Sequence, residues 1–216
     1  MGEKVMKILC LYSNECAVEL FRWLEEQGHG TVLETGRLNA GWCRENRFDL
    51  GISYTYPYMI QAEIIDALNG NIVNLHNSYL PFDRGTSPNL WNLLEGSPRG
   101  VSIHYVDKGL DTGDVIAQQI IEPEEGATLR TSYEQLDRAA KQLFKKVFPQ
   151  YKYWNSMRKK CIGEGTYHRE RDFDIILQSF ENWNWDLPVE KYIQKAGEVI
   201  KASEHAHVSG NKSFDN

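Results

Sequence analysis

The sequence contains four cysteines, Cys10, Cys16, Cys43 and Cys161, but no CxxC pair. That spacing argues against a structural zinc site or a disulfide framework, and four unpaired thiols fit a reducing cytoplasm. There is no GxGxxG, no Walker A loop and no HExxH, so the common nucleotide and zinc-hydrolase motifs are absent. No apolar run is long enough to span a bilayer, and the short apolar stretch VMKILCLY lacks the core length and cleavage site of a signal peptide. Positive charge is in deficit. The 24 Lys and Arg against 30 Asp and Glu give a formal net charge of −6, which speaks against a dominant, sequence-independent attraction to nucleic acid. Neither a membrane nor a nucleic-acid partner is expected, and no internal repeat is visible.

What is there suits a globular protein of the cytoplasm. The 216 residues, 41% of them hydrophobic, fit one domain with a modest extension. Apolar runs at 5–12, 31–35, 48–56 and 72–76 read as strands. Helical spacing at 15–28, 61–68 and 88–95 separates or follows them, with Asn14 and Ser87 as N-caps. A two-strand region joined by a glycine-rich loop covers 100–123, and a long helix capped by Thr131 or Ser132 runs to about Phe148. Strands alternating with helices predict an α/β fold with a mainly parallel central sheet and helices on both faces. Residues 1–150 are expected to form the main domain and 151–202 an extension rich in aromatics. Residues 203–216 are expected to form a disordered tail.

One stretch stands out. In NIVNLHNSYLPFDRG, residues 71–85, two polar side chains interrupt a strand that is otherwise apolar. Side chains on a strand repeat their direction every second residue, so Asn74 and His76 face one way while Val73 and Leu75 face the other. His76 ends the strand, and ligands of such sheets bind beyond the carboxyl ends of strands. An amide beside an imidazole can stabilise an oxyanion and manage a proton. A carboxylate could orient the imidazole, and Asp111 lies in the glycine-rich loop GLDTGD. If the strand carrying Ile103 pairs beside the one carrying Asn74, that loop returns to the same edge. Each residue also has a plainer reading. Asn-x-His pairs often just bond backbone, Asp111 suits a turn, and His104 reads as a surface or edge residue. His29 reads as turn chemistry, Trp183 and Trp185 as packing, and His205 and His207 as part of the tail.

Taken together, the motifs NLHNSYLPFDRG (74–85), PNLW (88–91), GVSIHYVDKGLDTGDVIAQ (100–118) and SYTYPYMI (53–60) resemble the 10-formyltetrahydrofolate-dependent formyltransferases. The resemblance covers roughly residues 5–150 and implies a Rossmann-like catalytic domain. It puts the family's asparagine, histidine and aspartate on Asn74, His76 and Asp111. It implies that the amide N–H of Asn74 and a protonated His76 stabilise an oxyanion while Asp111 orients His76 and helps carry the amine proton. Folate is implied against Tyr58, Met59 and Ile60 and against the loop from Val106 and Asp107 to Asp111. The run N-L-H-x-S-Y-L-P-x-x-R-G-x-x-P-N-x-W and GTYHRERD at 165–172 are similar to the sugar N-formyltransferases, although Asp83 stands where asparagine is common. That branch implies a nucleotide-linked amino sugar as acceptor, contacts from Ser78, Tyr79 and Arg84, and a role in lipopolysaccharide O-antigen synthesis. No metal is implied. The alternatives are a phosphoribosylglycinamide-type enzyme and a non-catalytic binding protein, and the aromatic segment from Phe180 to Tyr192 could cover the sheet, contact a nucleotide base or make a homodimer.

Overall fold

Apolar runs become strands and amphipathic stretches become helices, in an order that the computed structural model describes for residues 4–210, with side chains described to residue 202. Strand β1 is Lys7–Leu11, and a 3-10 turn at Glu15–Ala17 leads into α1, Val18–Glu26. Then follow β2 (Gly30–Glu34), α2 (Ala40–Asn46), β3 (Leu50–Tyr54), α3 (Ala62–Ala67) and β4 (Ile72–His76). A short β5 (Arg84–Gly85) precedes α4 (Pro88–Glu95), β6 (Gly100–Tyr105), β7 (Val115–Ile120) and the long α5 (Leu129–Val147). The extension holds α6 (Trp154–Met157), β8 (Tyr167–His168), α7 (Glu170–Gln178) and α8 (Val189–Gly210). The tail expected from residue 203 concerns side chains, and from 211 a whole segment, outside the described residues; His205 and His207 belong to it.

The main sheet has the order β2-β1-β3-β4-β6-β7. The pairings among β1 to β4 are parallel, and β6 and β7 are antiparallel. The expected mainly parallel sheet is therefore present with an antiparallel margin. On one face Val73 and Leu75 join Leu20, Phe21 and Leu24 of α1 and Leu136, Leu143 and Phe144 of α5. On the other, Leu9, Leu11 and Ile72 pack with Cys43 of α2 and Ile64 and Leu68 near α3. A third cluster, Leu90, Trp91, Leu129, Phe173, Ile176 and Tyr192, binds α4, α7 and α8 together. Among the described residues no helix is long and apolar enough to cross a membrane.

Local chemistry explains where sequence reading and structure differ. Asn14 does cap the first turn, accepting from the Cys16 N–H at 3.1 Å. The long helix starts earlier than expected because Thr128, not Thr131 or Ser132, is the cap; Thr131 supplies the reciprocal half of a capping box. Ser87 makes no side-chain cap and sits in the left-handed region at φ 53°. Helix α2 is missing from the sequence reading because seven residues, AGWCREN, carry little periodicity; Asn39 caps it. His29 is buried, its Nδ1 accepting from the Met6 N–H at 3.3 Å.

The extension reaches back to the loop after β4. The Arg84 and Thr86 N–H groups donate to the carbonyls of Thr166 and His168, both at 3.1 Å, and β5 pairs with β8 in parallel. Gly165 permits this contact, since a Cβ there would run into the Pro81 carbonyl oxygen. Gly165→Ala is expected to destabilise the protein by about 1–3 kcal/mol through overpacking. Gly197→Ala, in α8 with open space around it, is expected to be neutral or to stabilise by up to about 1 kcal/mol. Urea unfolding of the two variants checks the contrast.

Candidate active site

Strand β4 delivers Asn74 and His76 to one face, as the period of two requires. Its antiparallel neighbour β6 sets Asn74 directly opposite His104 and His76 opposite Ser102. The pairing on which the sequence argument depended is therefore the one the fold adopts, and it turns the loop after β6 back toward β4. Within that loop the Asp107 carboxylate accepts from the Gly109 N–H at 3.0 Å and from the Thr112 hydroxyl at 2.6 Å. Gly113 has no Cβ to strike the Tyr105 carbonyl oxygen. Asp111 is held in the left-handed region at φ 53° and carries its carboxylate inward.

Three side chains and one backbone N–H converge on that carboxylate. Asn74 Nδ2 donates to Asp111 Oδ1 at 3.3 Å. His76 Nε2 lies 3.7 Å from Asp111 Oδ2 and His104 Nε2 3.4 Å from Oδ1. The Gly85 N–H, from β5, donates to Oδ2 at 2.9 Å. Burial pushes the Asp111 carboxyl up, but His76, His104 and the Gly85 N–H outweigh it and hold it well below the ordinary carboxylate range.

The imidazoles are oriented by carbonyls. His76 Nε2 lies 3.0 Å from the Asp83 carbonyl oxygen, which can only accept, so Nε2 carries a proton and Nδ1 is left for a ligand. His104 Nδ1 donates in the same way to the Tyr105 carbonyl at 2.8 Å, which directs Nε2 toward Asn74 and Asp111. His104 is only 2% exposed, so the expected surface or edge position is wrong. Its strand is internal, between β4 and β7, and its polar side chain is compensated by the site. The signal available in the sequence was its place in the same motif as Asp111, directly opposite Asn74 once the pairing is known. The amide nitrogen of Asn74, expected to face an oxyanion, is turned to Asp111 here, and its Oδ1 has no hydrogen-bond partner among the described residues.

These groups line a cavity of about 580 Å3, within the ordinary range for a small-molecule site. Tyr58, Met59, Ile60, Val106 and Asp107, which the resemblance sets against folate, line it, with Met59 and Leu110 exposed at its rim. Ser78, Tyr79 and Arg84 do not line it. Ser78 is buried and its hydroxyl donates to the Phe82 carbonyl at 2.8 Å, so it shapes the loop. Arg84 Nε reaches the Thr166 carbonyl at 3.5 Å, and Tyr79 lies against Gly100. Thr86 to Leu90 and Tyr133, unmarked by the motif chemistry, also line it, as does Trp185, for which packing is the plainer sequence reading. Asp83 is fully buried, its carboxylate accepting from the Ser97 hydroxyl at 2.6 Å; burial raises its carboxyl despite that bond.

The comparisons place the chain among known proteins. A family model described as formyl transferase matches residues 24–148. The chain is 36% identical over 120 residues to a methionyl-tRNA formyltransferase of Finegoldia magna, covering 55% of this chain and 39% of that relative. It spans about two-fifths of the length of the curated relatives it matches. Among solved structures, the formyltransferase PseJ from Anoxybacillus kamchatkensis, in complex with UDP-4,6-dideoxy-4-formamido-L-AltNAc and tetrahydrofolate, superposes with a TM-score of 0.78 at 36% identity, over 88% of this chain and 99% of that one. A 4-N formyltransferase from Francisella tularensis shares the fold, with a TM-score of 0.69 at 18% identity, over 89% and 86%. The chain belongs to the formyl transferase family.

The depressed Asp111 carboxyl has a consequence for stability. An unfolded aspartate titrates near about 3.9. A carboxyl lowered in the folded state contributes stability that is complete above that value and is lost as pH falls toward the folded one. Urea melts of the wild type and Asp111→Asn between pH 3 and 6 are expected to show a gap that is constant above about pH 5 and narrows below about 4. A gap that widens on acidification would contradict the assignment.

Proposed function

We propose that the protein transfers a formyl group from 10-formyltetrahydrofolate to the amino group of a nucleotide-linked amino sugar. The observation that carries this reading is the likeness to PseJ, which extends over nearly the whole of that chain and whose complex holds a UDP-linked formamido sugar and tetrahydrofolate. Asn74, His76 and Asp111 supply the chemistry. The cavity takes the folate against Tyr58, Met59, Ile60 and the loop of Val106 and Asp107, and no metal enters the scheme.

In this scheme Asn74 Oδ1 accepts an N–H of the acceptor amine and aims its lone pair at the formyl carbon. The C–N bond to the sugar forms, and the carbonyl oxygen becomes an oxyanion. His76, protonated on both nitrogens, donates from Nδ1 to that oxyanion while the Asp111 charge balances the ring. The bond from carbon to folate N10 then breaks, the amine gives up one proton, and N10 gains one. Asp111, ionised in the resting site, takes the amine proton in passing and hands it on toward N10, returning to its charged form. Preorganised donors act strongly in a site from which water is excluded.

A second reading is favoured by one observation: the curated relatives are methionyl-tRNA formyltransferases, one of them at 36% identity. The net charge of −6 weighs against an RNA acceptor. A formyl-transfer assay with UDP- and dTDP-linked 4-amino-4,6-dideoxyhexoses, charged methionyl-tRNA and glycinamide ribonucleotide separates the acceptors. Turnover with a nucleotide-linked sugar is expected; turnover with tRNA or glycinamide ribonucleotide alone would overturn the choice. Asn74→Ala and His76→Ala are each expected to lower kcat by about 10²–10³-fold with unchanged circular dichroism. A near-native rate in either would remove its assigned role.

A further inference from the structure

The cavity is walled by two different layers of the fold. Tyr56, Ile60 and Val106, on the side proposed for folate, pack with the α2 and α3 layer. Leu90, on the other side, belongs to the cluster of α4, α5, α7 and α8 that also holds Leu129 and Trp183. From that second layer Asn89, Tyr133 and Trp185 reach the cavity, and the chemistry described so far gives none of them a task.

Two tryptophans of the extension have different fates. Trp183 packs edge-on against Phe173, Phe180 and Tyr192, with ring centroids 5.8, 5.3 and 6.0 Å away. Trp185 is 41% exposed and lines the cavity beside Tyr133, their centroids 6.1 Å apart. Its backbone is nonetheless fixed. The Arg130 N–H donates to the Trp185 carbonyl at 2.7 Å, the Leu129 N–H to the Leu187 carbonyl at 3.0 Å, and the Arg130 guanidinium holds Asp186 at 2.8 Å. A large aromatic face is thus left open on a rigid support, the arrangement that stacking on a flat ligand needs.

Asn89, in the first turn of α4, adds a polar anchor. It is only 3% exposed, and its Oδ1 accepts from the Ser132 hydroxyl at 2.9 Å. Its Nδ2 is buried without a partner. A buried donor left unpaired is destabilising, and an acceptor oxygen of a ligand would relieve it.

We infer that Trp185, Tyr133 and Asn89 form the subsite for the heteroaromatic base of the acceptor, with the base stacked on Trp185 and one of the nucleotide's oxygens accepting from Asn89. This rests on the nucleotide-linked reading above. It gives the aromatic extension, through Trp185, a share in binding the acceptor, and it puts the base on the layer opposite the folate.

Calorimetric titration of UDP, dTDP and, separately, tetrahydrofolate into the wild type, Trp185→Ala and Trp185→Phe tests it. Trp185→Ala is expected to weaken both nucleoside diphosphates by about 5- to 100-fold, the range of base–aromatic stacking. Trp185→Phe, which keeps a ring face, should lose less, and tetrahydrofolate should bind all three proteins within about twofold, since it stacks elsewhere. Wild-type affinity for the nucleoside diphosphates in Trp185→Ala overturns the subsite and leaves the nucleotide-linked reading standing. A wild type that binds tetrahydrofolate but neither nucleoside diphosphate overturns both. Parallel loss of tetrahydrofolate binding in both variants also overturns it, because Trp185 would then be supporting the fold.

Discussion

A single buried carboxylate organises this protein's site. Asp111 is drawn in on a left-handed backbone and meets Asn74, His76, His104 and the Gly85 N–H. Taking a carboxylate out of water is costly unless it is paired and hydrogen-bonded, and each of these groups contributes to that compensation. The arrangement therefore ties together pieces that are distant in sequence: the end of β4, the end of β6, the loop after β6 and the segment after β4. Move the carboxylate and each of the others loses its reason to be where it is.

The second level of support comes from backbone. Carbonyls of Asp83 and Tyr105 set the two imidazole orientations, and the Asp83 carbonyl is itself placed by a loop that pairs with residues 166–168. Asp83 shows how such a loop is held. Its N–H donates to the Thr166 hydroxyl at 2.8 Å, while its buried carboxylate is satisfied by Ser97. The extension is thus in contact with the groups that orient His76, although among the described residues none of its polar side chains is hydrogen-bonded to the carboxylate of Asp111. The same extension supplies Trp185 to the cavity wall. These contacts link the packing of a terminal segment to the geometry of a site built elsewhere.

Much of this was legible in the residues. The strand at 72–76 and the alternation that pairs Asn74 with His76 follow from apolar patterning alone, because one face of β4 is committed to Val73 and Leu75. The loop that returns Asp111 to the same edge needed a strand pairing that local pattern does not encode. His104 was misplaced for that reason: an alternating strand next to a glycine-rich loop looks like an edge until β7 is seen to cover it. Ser78 and Arg84 sit in the motif that carries the resemblance, yet their side chains hold the loop and do not reach the cavity, since shared sequence marks structural residues as well as contacts. Tyr133 was not legible as a site residue, and Trp185 read first as a packing residue. Each occupies a pattern position that packing explains equally well, and only the tertiary arrangement brings them to one wall.

The central claim is that Asp111 and His76 act as one unit. A double-mutant cycle on formyl transfer tests it most directly, with kcat measured for the wild type, His76→Ala, Asp111→Asn and the double variant. The account predicts strong non-additivity, with the double variant no slower than the slower single variant within a few-fold, because residues that work together lose their joint effect once. Two losses that multiply would contradict it and would make the shared carboxylate a feature of packing alone.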